Sequence, residues 1–149
     1  MSTREFDIIV YGATGYTGRL VAEHFVREYG DTNDGPKWAM AGRSEDKLTA
    51  VREEIGAPDT TPMIVADADD PASLEAMCSR TKVVLTTVGP YQLYGDKLVA
   101  ACVKTGTDYA DLCGEPAWMR EQIDLHHEAA KKSGACITFS SGFDSIPFD

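Results

Sequence analysis

Several things are scarce in this 149-residue sequence, and each absence removes a class of function. No apolar run approaches the roughly 18 residues of a membrane-spanning helix. No apolar h-region follows Met1–Glu5, so a secretory signal is not expected. Positive charge is in short supply. Fourteen Lys and Arg stand against 24 Asp and Glu, a formal charge of −10, which argues against nucleic acid as a partner. The four cysteines, Cys78, Cys102, Cys113 and Cys136, form no C-x-x-C pair, and they are expected as reduced thiols in a cytoplasmic setting. No tyrosine is followed four residues later by lysine, and no G-x-S-x-G elbow is present. Repeats and low-complexity segments are absent too.

What remains is a 43% hydrophobic chain with strand and helix patterns alternating along its length. That alternation predicts an α/β fold with a parallel sheet. The expected strands are Asp7–Tyr11, Lys37–Ala41, Met63–Ala66, Val83–Val88, Asp108–Leu112 and Ala135–Phe139. Val83–Val88, almost wholly apolar, reads as a central strand buried on both faces. The expected helices run over Thr17–Tyr29, Glu45–Ile55, Pro71–Arg80, Asp96–Lys104 and Pro116–Lys132. Right-handed crossovers then give a doubly wound Rossmann sheet of about six strands in the order 3-2-1-4-5-6. Residues 1–140 are expected to form this domain. Residues 141–149 are expected to begin a connection to a second, substrate-binding domain.

In such a sheet, ligands sit beyond the carboxyl ends of the strands at the switch point beside the first strand. Gly12, Thr14, Gly15, Tyr16, Thr17 and Gly18 occupy that turn. Gly12 suits a positive φ, Gly15 a close backbone approach to a diphosphate, and Gly18 close helix–strand packing. The helix that follows offers free N–H groups to an anion. The spacing is G-x-x-G-x-x-G, a variant of the dinucleotide fingerprint. After the second strand stand Arg43 and Ser44, where an NAD site would carry an acidic residue. A cationic fork and a hydroxyl suit a 2′-phosphate, so NADP (NADPH) is expected over NAD. After the third strand, Asp67 and Ala68 are placed at an adenine edge, with Asp67 equally readable as a helix N-cap. After the fourth, Gly89, Pro90 and Tyr91 are placed beside the nicotinamide ribose.

Hydride chemistry needs a proton donor, and Tyr91, Tyr94, Asp111, Glu115 and Asp144 all fall in loops on that side. None is singled out by sequence, so the catalytic residue is unassigned. His126 and His127 lie mid-helix and are read as packing or solvent-facing residues rather than metal ligands with Cys113.

These motifs together resemble the saccharopine dehydrogenase-like oxidoreductases. The stretches carrying the likeness are Tyr11–Gly18, Ala41–Ser44, Thr86–Tyr91, Gly106–Leu112 with Gly114-Glu115, and Gly142–Pro147. The likeness is strongest to the actinobacterial branch containing the trans-acting enoyl reductases. It implies hydride transfer from NADPH to an enoyl or imine acceptor, with a small-molecule or acyl/polyketide lipid substrate. A homodimer is left open. It also implies a second domain beyond this length. The alternatives are a non-catalytic dinucleotide sensor acting through a protein partner, and a structural domain with an empty site.

Overall fold

The computed structural model describes residues 3–30 and 34–142. Along the chain come β1 (Phe6–Tyr11), α1 (Tyr16–Tyr29), β2 (Trp38–Gly42), α2 (Glu45–Glu54), β3 (Met63–Val65) and α3 (Pro71–Cys78). They are followed by β4 (Thr81–Thr86), α4 (Tyr91–Tyr94), α5 (Asp96–Thr105), β5 (Asp108–Asp111), α6 (Pro116–Ser133) and β6 (Ile137–Thr138). All pairings are parallel, and the six strands lie in the order β3-β2-β1-β4-β5-β6. This is the expected doubly wound Rossmann sheet.

Two of the helices start at side-chain caps. The Ser44 hydroxyl accepts from Lys47 N at the head of α2. Asp70 accepts from Ala72 N at the head of α3, with Pro71 behind it. Each such cap satisfies an amide that the helix itself cannot. Among the described residues, no helix is long and apolar enough to cross a membrane.

Strand alternation divides the core in two. Val10, Met40 and Ala13 face α1 and α2 and pack on Ala22, Phe25 and Leu48. Ile9, Tyr11, Ala39 and Val84 face the other way, onto Leu74 and Met77 of α3, Leu98 and Val99 of α5 and Trp118 of α6. Ile9, Val10, Met40 and Val84 are completely buried, each worth about 1.5–3 kcal/mol of hydrophobic stabilisation.

Three sequence expectations are corrected. First, β4 is Thr81–Thr86, not Val83–Val88. Thr87 and Val88 leave the ladder, Val88 N turning back onto the Thr86 hydroxyl at 3.2 Å. Nor is β4 buried on both faces. Leu85 is the register partner of Val10 and so faces the α1 side, yet it and Val83 are only half-buried. Second, the short helix α4 precedes α5. Third, β6 is reduced to Ile137–Thr138 because only two residues reach pairing distance of β5. The connection expected at 141–149 lies outside the described residues beyond Gly142, as does Asp144.

Candidate cofactor site

A cleft of about 330 Å³ opens at the carboxyl ends of the strands, at the junction of β1, β2, β3 and β4. Its floor is the glycine turn. Gly12 has φ +87°, a left-handed conformation that costs a side-chain-bearing residue free energy. A Cβ there would also lie 2.7 Å from Val88 Cγ2 and 2.8 Å from Thr87 Oγ1. Gly18 is buried, and a Cβ on it would come 1.9 Å from Gly12 O. Gly15 differs from both. Its φ is −79°, and an added Cβ would meet only Gly12 O, at an ordinary 3.5 Å.

The turn is braced from beneath. Gly12 O accepts from Gly15 N at 3.0 Å and from the Thr87 hydroxyl at 3.3 Å. Gly12 N and Ala13 N both donate to Ala41 O. With those groups satisfied inward, the start of α1 is left open. Gly15 is its N-cap and no side chain caps it, so the first N–H groups of α1 point outward as an anion site. Thr14 and Gly15 line the cleft. Tyr16 and Thr17 are exposed, and what this stretch offers a ligand is main-chain N–H.

On the β2 side stand Gly42 and Arg43. Among the described residues, Arg43 is the one arginine whose side chain makes neither a hydrogen bond nor an ion pair. Its charge instead acts on the Tyr11 hydroxyl, whose pKa is pushed up chiefly by burial and next by Asp67, with Arg43 opposing. Ser44 accepts the capping bond from Lys47 N at 3.4 Å, which leaves its O–H donor unused among the described residues, and it is not among the residues that line the cleft.

After β3, Asp67, Ala68 and Asp69 line the cleft. Of the two readings of Asp67, the N-cap is corrected, because Asp70 is the cap. Asp67 Oδ1 accepts from Asp69 N at 2.9 Å, an Asx turn that holds the carboxylate at the cleft wall.

After β4 the expected trio separates. Gly89 lines the cleft with Thr87 and Val88, whereas Pro90 and Tyr91 do not. Tyr91 is 4% exposed. Its hydroxyl donates to Thr86 O at 3.3 Å and accepts from Leu112 N at 3.4 Å, while its ring packs 5.6 Å from that of Trp118. Burial pushes its pKa well above the ordinary tyrosine value. Tyr91 is therefore a core residue pointing away from the cleft. Tyr91→Phe should cost about 1 kcal/mol by urea unfolding and leave dinucleotide affinity unchanged.

Two more proton-donor candidates are engaged in the fold. The Glu115 carboxylate sits on the head of α4, accepting from Tyr91 N at 2.9 Å and Gln92 N at 2.8 Å. Asp111, also 4% exposed, accepts from the Tyr109 hydroxyl at 2.6 Å, Cys113 N at 2.9 Å and Ser140 N at 2.8 Å. It ties the end of β5 to the segment after β6. Tyr94 alone of the described candidates lines the cleft. His126 and His127 lie elsewhere, in a groove of about 340 Å³ between α6 and β6 with Ile123, Ile137 and Phe139. Among the described residues, no three His, Cys, Asp or Glu side chains converge as a metal site.

Sequence reasoning missed Thr87, Val88, Tyr11 and Asp69 as site residues. Thr87 and Val88 were hidden by being assigned to a strand. Their position directly after the β-branched run was the available signal.

An open helix start over a glycine cradle, with an uncommitted arginine at the next strand end, defines a Rossmann dinucleotide-binding domain, and the residues fit an NADP diphosphate and 2′-phosphate. The family model for the saccharopine dehydrogenase NADP binding domain matches residues 8–137, and the chain belongs to that family, whose cofactor is NADP. A trans-acting enoyl reductase of Mycobacterium tuberculosis is 54% identical over 148 residues. One from Mycobacterium leprae is 53% identical over 147. In both cases the match covers 98% of this chain and 34% of the relative, so the chain spans about a third of the relatives' length. In fold it is similar to saccharopine dehydrogenase from Saccharomyces cerevisiae, with a TM-score of 0.64 at 17% identity, covering 93% of this chain and 28% of that one. It is likewise similar to Citrobacter triphenylmethane reductase complexed with NADP(H), with a TM-score of 0.63 at 20% identity, covering 89% and 48%.

Proposed function

We propose that this chain is the part of an oxidoreductase that holds NADPH for hydride transfer to an enoyl or imine acceptor. NADPH would supply the hydride, and the protein would bind and orient it. The α1 N-terminus and the main chain of residues 12–18 would hold the diphosphate, and Arg43 the 2′-phosphate. Asp67 and Ala68 would meet the adenine edge. Gly89, with Thr87 and Val88, would bound the nicotinamide side. The observation that carries this reading is Arg43, an exposed guanidinium without a partner among the described residues, at the edge of a cleft floored by an uncapped helix. An enoyl acceptor is the substrate class favoured by the names of the relatives, and an acyl or polyketide lipid would carry it. Reduced cysteines in a cytoplasmic setting suit the same reading. Residues 1–140 would form the cofactor domain, with substrate contacts supplied by further polypeptide of the kind that makes the relatives about three times as long. The half-buried Val83 and Leu85 leave an apolar sheet face on which such polypeptide could pack.

Titration calorimetry with NADPH and NADH tests the reading. Saturable NADPH binding, tighter than NADH, is expected. No NADPH binding, or a preference for NADH, would overturn it.

A second reading, a dinucleotide sensor without catalysis of its own, is favoured by one observation. Tyr91, Asp111 and Glu115 are all consumed by bonds within the fold, which leaves Tyr94 as the only described candidate acid on the cleft. If NADPH binds to this chain and no enoyl or imine acceptor is reduced by the full-length polypeptide, the sensor reading replaces the first.

A further inference from the structure

Tyr94 has no evident task in the fold. Its side chain is 40% exposed and makes no hydrogen bond or ring contact with another described residue. Leaving an aromatic ring half in water forfeits much of the free energy of burying it. Yet α4, which carries it, is firmly mounted. Glu115 holds both amides at its head, and Tyr91 one turn earlier is packed on Trp118.

The mount also aims it. The Lys97 ammonium, at the start of α5, donates to Asp69 O at 3.1 Å and lies 3.5 Å from Asp69 Oδ1. That contact draws the α4–α5 junction over the loop after β3. Tyr94 lines the same cleft as Arg43, Asp67 and Gly89, and the Lys97 contact sets the junction that follows it against the Asp67–Asp69 loop, on the side where Arg43 leaves β2. If Arg43 takes a 2′-phosphate, the nucleoside on that side is the adenosine, because only its ribose carries that phosphate.

We propose that Tyr94 is the platform on which the adenine of the bound dinucleotide stacks. This rests on the NADP reading above and extends it. The residue is reassigned from the reacting end of the cofactor to its far end. Sequence order gives no hint of this, since Tyr94 follows the β4 loop that borders the nicotinamide half. An uncommitted aromatic face suits a planar base without reading its edge, and the Asp67 carboxylate in the same cleft can accept from an exocyclic amino group.

Calorimetry on the wild-type chain, Tyr94→Ala and Tyr94→Phe, with NADPH, NADH and 2′,5′-ADP, tests the assignment. Tyr94→Ala should weaken NADPH and 2′,5′-ADP alike, by about 5- to 100-fold, and leave the NADPH-to-NADH ratio unchanged. Tyr94→Phe, which keeps the ring, should bind like wild type. Thermal melts should show both variants folded, as expected for a side chain that supports nothing else. A loss confined to NADPH with 2′,5′-ADP unaffected would move Tyr94 to the nicotinamide half and overturn the proposal. So would unchanged binding of both ligands. A wild-type chain that binds neither NADPH nor 2′,5′-ADP would instead bring down the NADP reading itself.

Discussion

Arg43→Ala is expected to weaken NADPH binding by about 100-fold while NADH binding changes by less than about threefold. The asymmetry follows from what the guanidinium can touch. It makes no hydrogen bond or ion pair with a described residue, so removing it should cost the fold nothing measurable. A 2′-phosphate carries close to two negative charges on an acidic protein of formal charge −10, and Asp67 and Asp69 line the same cleft. Without Arg43 that phosphate would face repulsion with no local compensation. The NADPH affinity of the wild type should fall as salt rises, because the pair forms at an exposed position. That slope should flatten in the variant. Calorimetry at two ionic strengths reads both effects. Equal losses for NADPH and NADH would mean that Arg43 contributes a general field or a structural contact instead.

Gly18→Ala should be the most damaging single-methyl addition at the site, costing about 3 kcal/mol or more. The added Cβ would meet Gly12 O at 1.9 Å and Gly12 C at 2.6 Å. These are backbone atoms, which no rotamer change can clear. Either α1 moves off β1 or the turn loses its bond from Gly15 N, and both spoil the anion cradle. Gly15→Ala makes the informative partner. Its backbone is extended and its nearest neighbour is at 3.5 Å, so stability should stay within about 1 kcal/mol of wild type. NADPH affinity should nevertheless drop about tenfold or more, because the methyl would stand where a diphosphate approaches the main chain. Urea unfolding and calorimetry on the two variants separate a glycine needed by the fold from one needed by the ligand. If Gly15→Ala bound NADPH like wild type, the diphosphate would not sit over that residue.

Much of the cleft was legible in advance because its parts are local. A glycine turn between a strand and a helix is a few consecutive residues, and the conformational demands on Gly12 and Gly18 act over that short span. Arg43 is equally local, being the residue that follows β2. The loops after β4 and β5 were read less well because their side chains make long-range choices. Tyr91 and Tyr94 are three residues apart in one short helix. One turns inward to Trp118, 27 positions later, and the other lines the cleft that Arg43, 51 positions earlier, also lines. Nothing in Pro90-Tyr91-Gln92-Leu93-Tyr94 distinguishes them. The same holds for Glu115 and Asp111. A carboxylate in a loop reads as chemistry until the amides it accepts from are known, and those amides come from elements that only packing brings near.

By itself, then, the sequence determined the α/β alternation, the strand order, the phosphate-binding turn and the cation beyond β2. Each depends on periodicity, turn chemistry or charge within a short window, and right-handed crossovers supply the topology. Tertiary structure alone decided which polar groups are free for a ligand and which are spent on the fold. It bound Thr87 to the underside of the glycine turn, put Glu115 on the head of α4, sank Tyr91 and Asp111, and left the Arg43 and Tyr94 side chains uncommitted in one cleft. That division has a physical cause. A buried polar group must find a partner, the partner can lie anywhere in the chain, and only the packed molecule shows which groups have been claimed.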